Sequence, residues 1–201
     1  MKHPISDSLV TSHSNSSAAI DHAPTGNALV EYARLRDGLG RDFAIAAFSA
    51  MLLTTYQGFV GCPLLPAAIP ESDAGRWLYE DAPFCVLAHN TDADPRFVYA
   101  NRAAQRCFEY DWEAFTSLPS RLSAEAPNRE ERQRLLDAVT RNGFATGYRG
   151  LRVAKSGRQF WIEDGIVWQL VDASGARHGQ AATFSTWRDA EHHSMTNLKD
   201  A

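Results

Sequence analysis

Few side chains in this 201-residue sequence have the types and spacing that chemistry demands. His89 with Asp92 and Asp94 could form an acid–base set, with a proton acceptor and two carboxyls inside one short stretch. The simpler reading is turn chemistry, because aspartates just ahead of Pro95 cap and reverse the backbone. Metal binding has little to build on. Three of the seven histidines lie near the N-terminus and His192-His193 near the C-terminus, leaving His89 and His178 scattered in the body of the chain. Gly38-Leu39-Gly40 lacks both the preceding strand and the third glycine of a dinucleotide fingerprint, and no phosphate loop, zinc-protease helix or nucleophile elbow occurs. Cys62, Cys85 and Cys107 stand in separate apolar contexts with no Cys-x-x-Cys spacing, so they read as buried free thiols in a reducing compartment. Arg121, Glu125, Arg129 and Arg132 cluster around Pro119 and Pro127. Such a group either pairs internally, the reading we place first, or recognises an anionic ligand or partner.

These residues must be positioned by a single core. Hydrophobic residues make up 44% of the chain and charged residues 22%, the balance of a soluble globular protein. With 20 basic against 24 acidic residues the net charge is −4, which provides no field for a phosphate backbone and argues against nucleic acid as a direct partner. The N-terminus lacks the charged, apolar and small-residue succession of a secretory signal, so a cytoplasmic location is expected. Phe43 to Val60 carries no charge, yet its last third contains Thr54, Thr55, Gln57 and Gly58. It reads as a buried helix rather than a membrane span.

Residues 1–26 hold six serines and little that could pack, and are expected to be a disordered arm. Residues 27–70 read as a helical extension, with helices over 28–37 and 43–56 capped by Asn27 and Asp42, stopped at Gly38, Gly40 and Gly58, and followed by a Pro-rich connector. The main domain is expected over 71–188, before a polar tail at 189–201. It opens with a short helix through Trp77 and a hairpin of strands at 84–88 and 97–100. Asn101 and Asp111 are placed as N-caps of two further helices. Asn128 and Glu131 have capping-box spacing ahead of Leu135, Leu136 and Val139, and Gly143 should end that helix. Three strands follow, at about 146–154, 158–170 and 178–187. In the middle one Phe160, Ile162, Ile166, Trp168 and Leu170 recur at period two, which would put them on one face, with an irregularity at Asp164-Gly165.

The residues between Phe43 and Trp187 also resemble a known family. Leu78-Tyr79-Glu80-Asp81-Ala82-Pro83-Phe84-Cys85-Val86-Leu87-Ala88-His89, Asp94-Pro95 and Tyr99-Ala100-Asn101 are similar to the opening of a MEKHLA domain. So are Leu118-Pro119-Ser120-Arg121 with Ser123-Ala124-Glu125, Arg129 with Glu131-Arg132, Tyr148-Arg149-Gly150 with Arg152, Gly157-Arg158 with Phe160, and Gly179-Gln180-Ala181-Ala182. Each motif is weak alone; their order makes the resemblance specific. It implies an α+β fold of PAS type, an antiparallel five-stranded sheet with helices on one face, preceded by N-terminal helices. The family also occurs at the C-terminus of plant homeodomain leucine-zipper factors, whose homeodomain and zipper this chain lacks. What the resemblance implies is therefore a regulatory, non-catalytic module that binds a small molecule or a protein partner. A dimerisation module with a filled core and a small acid–base enzyme of cone-like fold, for which His89 would be essential, are the alternatives.

No cofactor can be named from the resemblance. The histidine by which some PAS domains hold haem is missing from the helix at 129–142, and the Asn-Cys-Arg-Phe run of flavin-binding light sensors is absent. In a PAS-like fold the ligand would sit between the inner sheet face and the helices after the second strand. Its walls would come from Phe97 or Tyr99, Phe108, Phe115, Phe160, Ile162, Trp168 and Phe184; an anionic ligand would need Arg121 or Arg149 at the mouth, a neutral flat one neither, and Arg121 or His89 directed inward would favour a sensor. The helix at 43–53 is apolar on more than one face, so a homodimer or partner contact is expected there.

Overall fold

The computed structural model describes residues 41–124 and 129–190. The expected arm, the helix at 28–37, the cap at Asn128 and most of the polar tail lie outside the described residues. Helix α1 (Arg41–Val60) runs past Gly58 and ends at Gly61, whose φ of 84° turns the chain. Gly58 therefore does not stop the helix; a glycine in the last turn is tolerated where the flanking residues pack. A Pro-rich connector leads through a 3-10 turn, Glu71–Asp73, into α2 (Ala74–Glu80). Strands β1 (Cys85–His89) and β2 (Phe97–Ala100) form the expected hairpin.

Asn101 and Asp111 cap α3 (Arg102–Phe108) and α4 (Trp112–Ser117), their carboxamide and carboxylate oxygens accepting from Ala104 N at 3.0 Å and Ala114 N at 2.8 Å. Helix α5 (Arg129–Asn142) stops at Gly143, and β3 (Phe144–Val153), β4 (Gln159–Val171) and β5 (Arg177–Phe184) follow. The last expected strand divides at Ser185. Its end becomes β6 (Thr186–Asp189), which leaves β5's line and pairs with the first half of β4. The sheet is antiparallel in the order β2-β1-β5-β4-β3, with β6 as a sixth strand beside β4.

Helices α3, α4 and α5 cover one face of this sheet and α1 covers the other. Alternation along β1 divides the two cores: Cys85 and Leu87 join the inner face, Val86 and Ala88 the outer. Two irregularities then change which residues belong where. In β2 an extra residue at Val98 separates the Ala88↔Tyr99 pair from His89↔Phe97, so Phe97 faces inward and Tyr99 outward. In β4 Asp164 adopts φ 53°, and Tyr148 pairs with Gly165 while Gly150 pairs with Ile162. The strand stays continuous, as expected, but Phe160 and Ile162 point to the inner core whereas Trp168 and Leu170 join the outer one. A single added residue exchanges the two faces of everything beyond it. The one-face reading of the five β4 residues is thereby corrected.

Helix α1 docks on that outer face. Ile45, Phe48, Met51, Leu52 and Tyr56 are buried against the sheet, and Trp168 Nε1 donates to Thr55 Oγ1 at 3.0 Å. Leu53, Phe59 and Val60, together with Leu64 and Leu65 of the connector, pack around the same cluster. Much of the apolar excess read from the sequence is thus met within the chain. Among the described residues no helix is long and apolar enough to cross a membrane.

Candidate functional site

The inner face is filled at one end and hollow at the other. At the filled end Phe108 packs edge-to-face on Phe115 and Phe160, with ring centroids 5.4 and 5.0 Å apart, and Phe97 meets Phe115 at 4.9 Å. At the other end a cavity of about 270 Å³ opens between the sheet and the cover formed by α5 and the 3-10 turn at Ser120–Ser123. Leu87, Phe97, Ile162, Val167 and Ala182 supply its apolar walls, with Leu135 facing them from α5. His89, Gln180, Tyr148, Arg149 and Arg152 bring polar groups to it.

The backbone explains how these groups converge. A Cβ on Gly150 would stand 2.1 Å from the Tyr148 hydroxyl oxygen and 2.6 Å from Cζ, so only glycine lets the Tyr148 ring lie along its own strand. In that position the hydroxyl accepts a hydrogen bond from Arg152 Nη2, and the guanidinium sits 5.3 Å from the ring centroid. Gly179, at φ 144°, allows β5 to approach β1 so closely that a Cβ would fall 1.8 Å from the His89 carbonyl oxygen. That approach sets Gln180 opposite His89 across the ladder. His89 Nδ1 lies 2.9 Å from the Asn90 carbonyl, which requires Nδ1 to carry the proton. Arg149 lies over the Trp161 ring at 4.5 Å.

Residues 46–189 match the MEKHLA domain family. The chain belongs to that family. None of the curated proteins matches the sequence. The fold is similar to that of an RNA-binding light-oxygen-voltage receptor, with a TM-score of 0.50 at 20% identity over 64% of this chain and 36% of the receptor's, so the likeness spans about a third of that protein. A PAS domain of a Colwellia psychrerythraea protein is also similar, at TM-score 0.49 and 15% identity over 59% of this chain and 95% of that one. So is the light-oxygen-voltage domain of a blue-light activated histidine kinase from Erythrobacter litoralis, at 0.43 and 18% over 54% and 96%. The MEKHLA domain thus has a PAS-like fold.

Within the MEKHLA domain the expected ligand wall separates into three groups. Phe97, Ile162, His89 and Arg149 do line the cavity. Phe108, Phe115, Phe160 and Phe184 belong to the filled inner core. Tyr99 and Trp168 lie on the opposite face under α1, because the β2 and β4 irregularities reverse the parity assumed for them. Burial pushes the Tyr99 phenol well up from its ordinary value. Arg121 stands outside the cavity, where Nε and Nη2 bond both carboxylate oxygens of Asp94 at 3.0 and 3.3 Å on the surface. Internal pairing, the first reading of that charged cluster, holds for this arginine.

Tyr148, Arg152 and Gln180 were not among the expected ligand residues. Each sits in a short motif that carried the family resemblance, and the glycines inside those motifs were the available signal. The acid–base set does not assemble: Asp92 accepts from the Asn90 carboxamide at 2.8 Å and Asp94 is held by Arg121, both as turn chemistry. Among the thiols, Cys85 and Cys107 are buried, but Cys62 is exposed in the connector. The hydrogen bond between the two buried sulfurs, reinforced by burial, raises the Cys85 pKa. Among the described residues no cluster of histidine, cysteine and carboxylate could hold a metal ion.

Proposed function

We propose that this MEKHLA domain is a non-catalytic regulatory module whose inner-face cavity takes up a small molecule. The observation that carries this reading is the hollow itself. An aromatic interior packed edge-to-face gives way, at one end, to about 270 Å³ of space with apolar walls and a few converging polar groups, the usual make-up of a small-molecule site. A structural core of this size would be expected to close over such a space, since voids forfeit dispersion contacts. The PAS-like fold supports a sensory role, and the dispersal of His89, Asp92 and Asp94 into separate turn contacts favours binding over turnover.

A melting-temperature series with small aromatic acids, amides and alcohols tests this. A compound that enters only the folded protein stabilises it by about 2.7 kcal/mol at a hundred times its dissociation constant, a shift of several degrees for a domain of this size. The Ala182→Leu variant, which extends a side chain into the cavity, should retain its own melting temperature within a few degrees and lose the shift. If no compound moves the wild type, or if the variant responds as well as the wild type, the cavity is not the binding site.

A further inference from the structure

Two neighbouring rows of side chains cross the inner face of β1, β5 and β4. In the first, Leu87 and Val167 both stand opposite Ala182, so two branched apolar residues flank one small one and make a flat floor to the cavity. In the second, His89 and Gln169 both stand opposite Gln180. The rows lie two residues apart along each strand, about 6.8 Å, with side chains on the same face. The outer members of the polar row are spoken for within the protein: His89 Nδ1 donates to the Asn90 carbonyl at 2.9 Å, and Gln169 Nε2 donates to the Val139 carbonyl of α5 at 2.7 Å. The central one is not. Gln180 is half-buried, lines the cavity, and its carboxamide makes no hydrogen bond to the described residues.

We propose, resting on the small-molecule reading above, that the ligand is a flat ring bearing an amide edge, a carbonyl beside an N–H, and that Gln180 reads this edge. A carboxamide carries a donor and an acceptor side by side in one plane, so its full complement is a group with the same pair in reverse order. A primary amide or a lactam has that pair; a ketone has only the acceptor, and so has a carboxylate. The ring lies on the floor formed by Leu87, Ala182 and Val167, and the spacing of the two rows brings its polar edge to Gln180. A site built to form such a pair discriminates against an analogue that lacks one half of it, because the protein's own group is then left unpaired on binding. Gln180 is a specificity residue in this arrangement, and the apolar floor supplies the rest of the affinity.

The test compares 2-naphthamide with 2-acetylnaphthalene, in which a methyl group replaces the amide nitrogen, by calorimetric titration of the full chain. The amide should bind at least about tenfold tighter than the ketone. Gln180→Met, close in size but without the carboxamide, should bring the two affinities to within about threefold by weakening the amide alone, with ketone binding reporting that the pocket has survived. Should Gln180→Met fail to fold, the side-chain N–H resonances of Gln180 in the wild type carry the test: saturation with 2-naphthamide should shift them, and an unmoved pair overturns the role given to this residue. Equal binding of amide and ketone by the wild type, or tighter binding of 2-naphthoate than of the amide, overturns the amide assignment while leaving the small-molecule site in place. Binding of neither probe overturns the assignment, and silence across the whole series of acids, amides and alcohols would remove the site as well. A preference for the amide that survives Gln180→Met places its polar edge elsewhere and overturns the reading.

Discussion

Replacing Asn101 with alanine should lower the unfolding free energy by about 4 kcal/mol, because several buried backbone groups lose their partner at once. The side chain is fully buried and makes four hydrogen bonds. Its Oδ1 accepts from Val86 N and Ala104 N, each at 3.0 Å, and its Nδ2 donates to the carbonyls of Leu78 at 3.2 Å and Phe84 at 2.8 Å. One carboxamide therefore caps α3 and ties it to α2 and to the start of β1. Asn101→Asp should be at least as damaging, since it sets an acceptor oxygen against two carbonyls. Urea denaturation measures both, and a loss below about 1 kcal/mol for the alanine variant would mean that water replaces the carboxamide at this junction.

Trp168→Ala should cost a similar amount, about 4 kcal/mol, for a different reason. The indole is fully buried, stands edge-on to Tyr56 with centroids 5.0 Å apart, and donates to Thr55. Truncation empties the seam between β4 and α1. Hydrogen exchange should accelerate across α1 more than across α3 or α5, because the indole is a main anchor of α1 on the sheet. Trp168→Phe, which keeps much of the area but loses the N–H, should cost about half as much. Binding of 2-naphthamide should survive in the folded fraction of either variant. Loss of binding with unchanged stability would return Trp168 to the ligand wall.

That contrast locates what the sequence could and could not convey. Hairpin, caps and strand lengths were legible because each rests on local chemistry: Asn101 and Asp111 before helices, Gly143 after one, and aspartates around Pro95. The outer and inner faces were not. Period-two counting assigns Phe160 through Leu170 to one side unless the strand holds an odd extra residue. Asp164 at φ 53° is that residue, and nothing in an Asp-Gly pair distinguishes a bulge from a hairpin turn. The same limitation applied to Phe97 and Tyr99, where the choice depended on an added residue at Val98. Arg121 was given to the cavity mouth because its partner Asp94 lies 27 positions away and only tertiary structure brings them together. Conversely, Tyr148, Arg152 and Gln180 could have been suspected from the glycines beside them. Gly150 and Gly179 sit within strands, where glycine is costly unless another group needs the space.

Methyl-resolved NMR of the full chain, titrated with 2-naphthoate and separately with 2-naphthamide, tests the small-molecule site most directly. Leu87, Leu135, Ile162 and Val167 line the inner cavity, whereas Leu52, Leu78, Val86 and Leu170 are fully buried in the outer core beneath α1. The expected result is a saturable shift of the first set by at least one probe, with the second set unmoved. Shifts confined to the outer-core methyls, or none with either probe at millimolar concentration, would contradict a ligand site in the inner cavity.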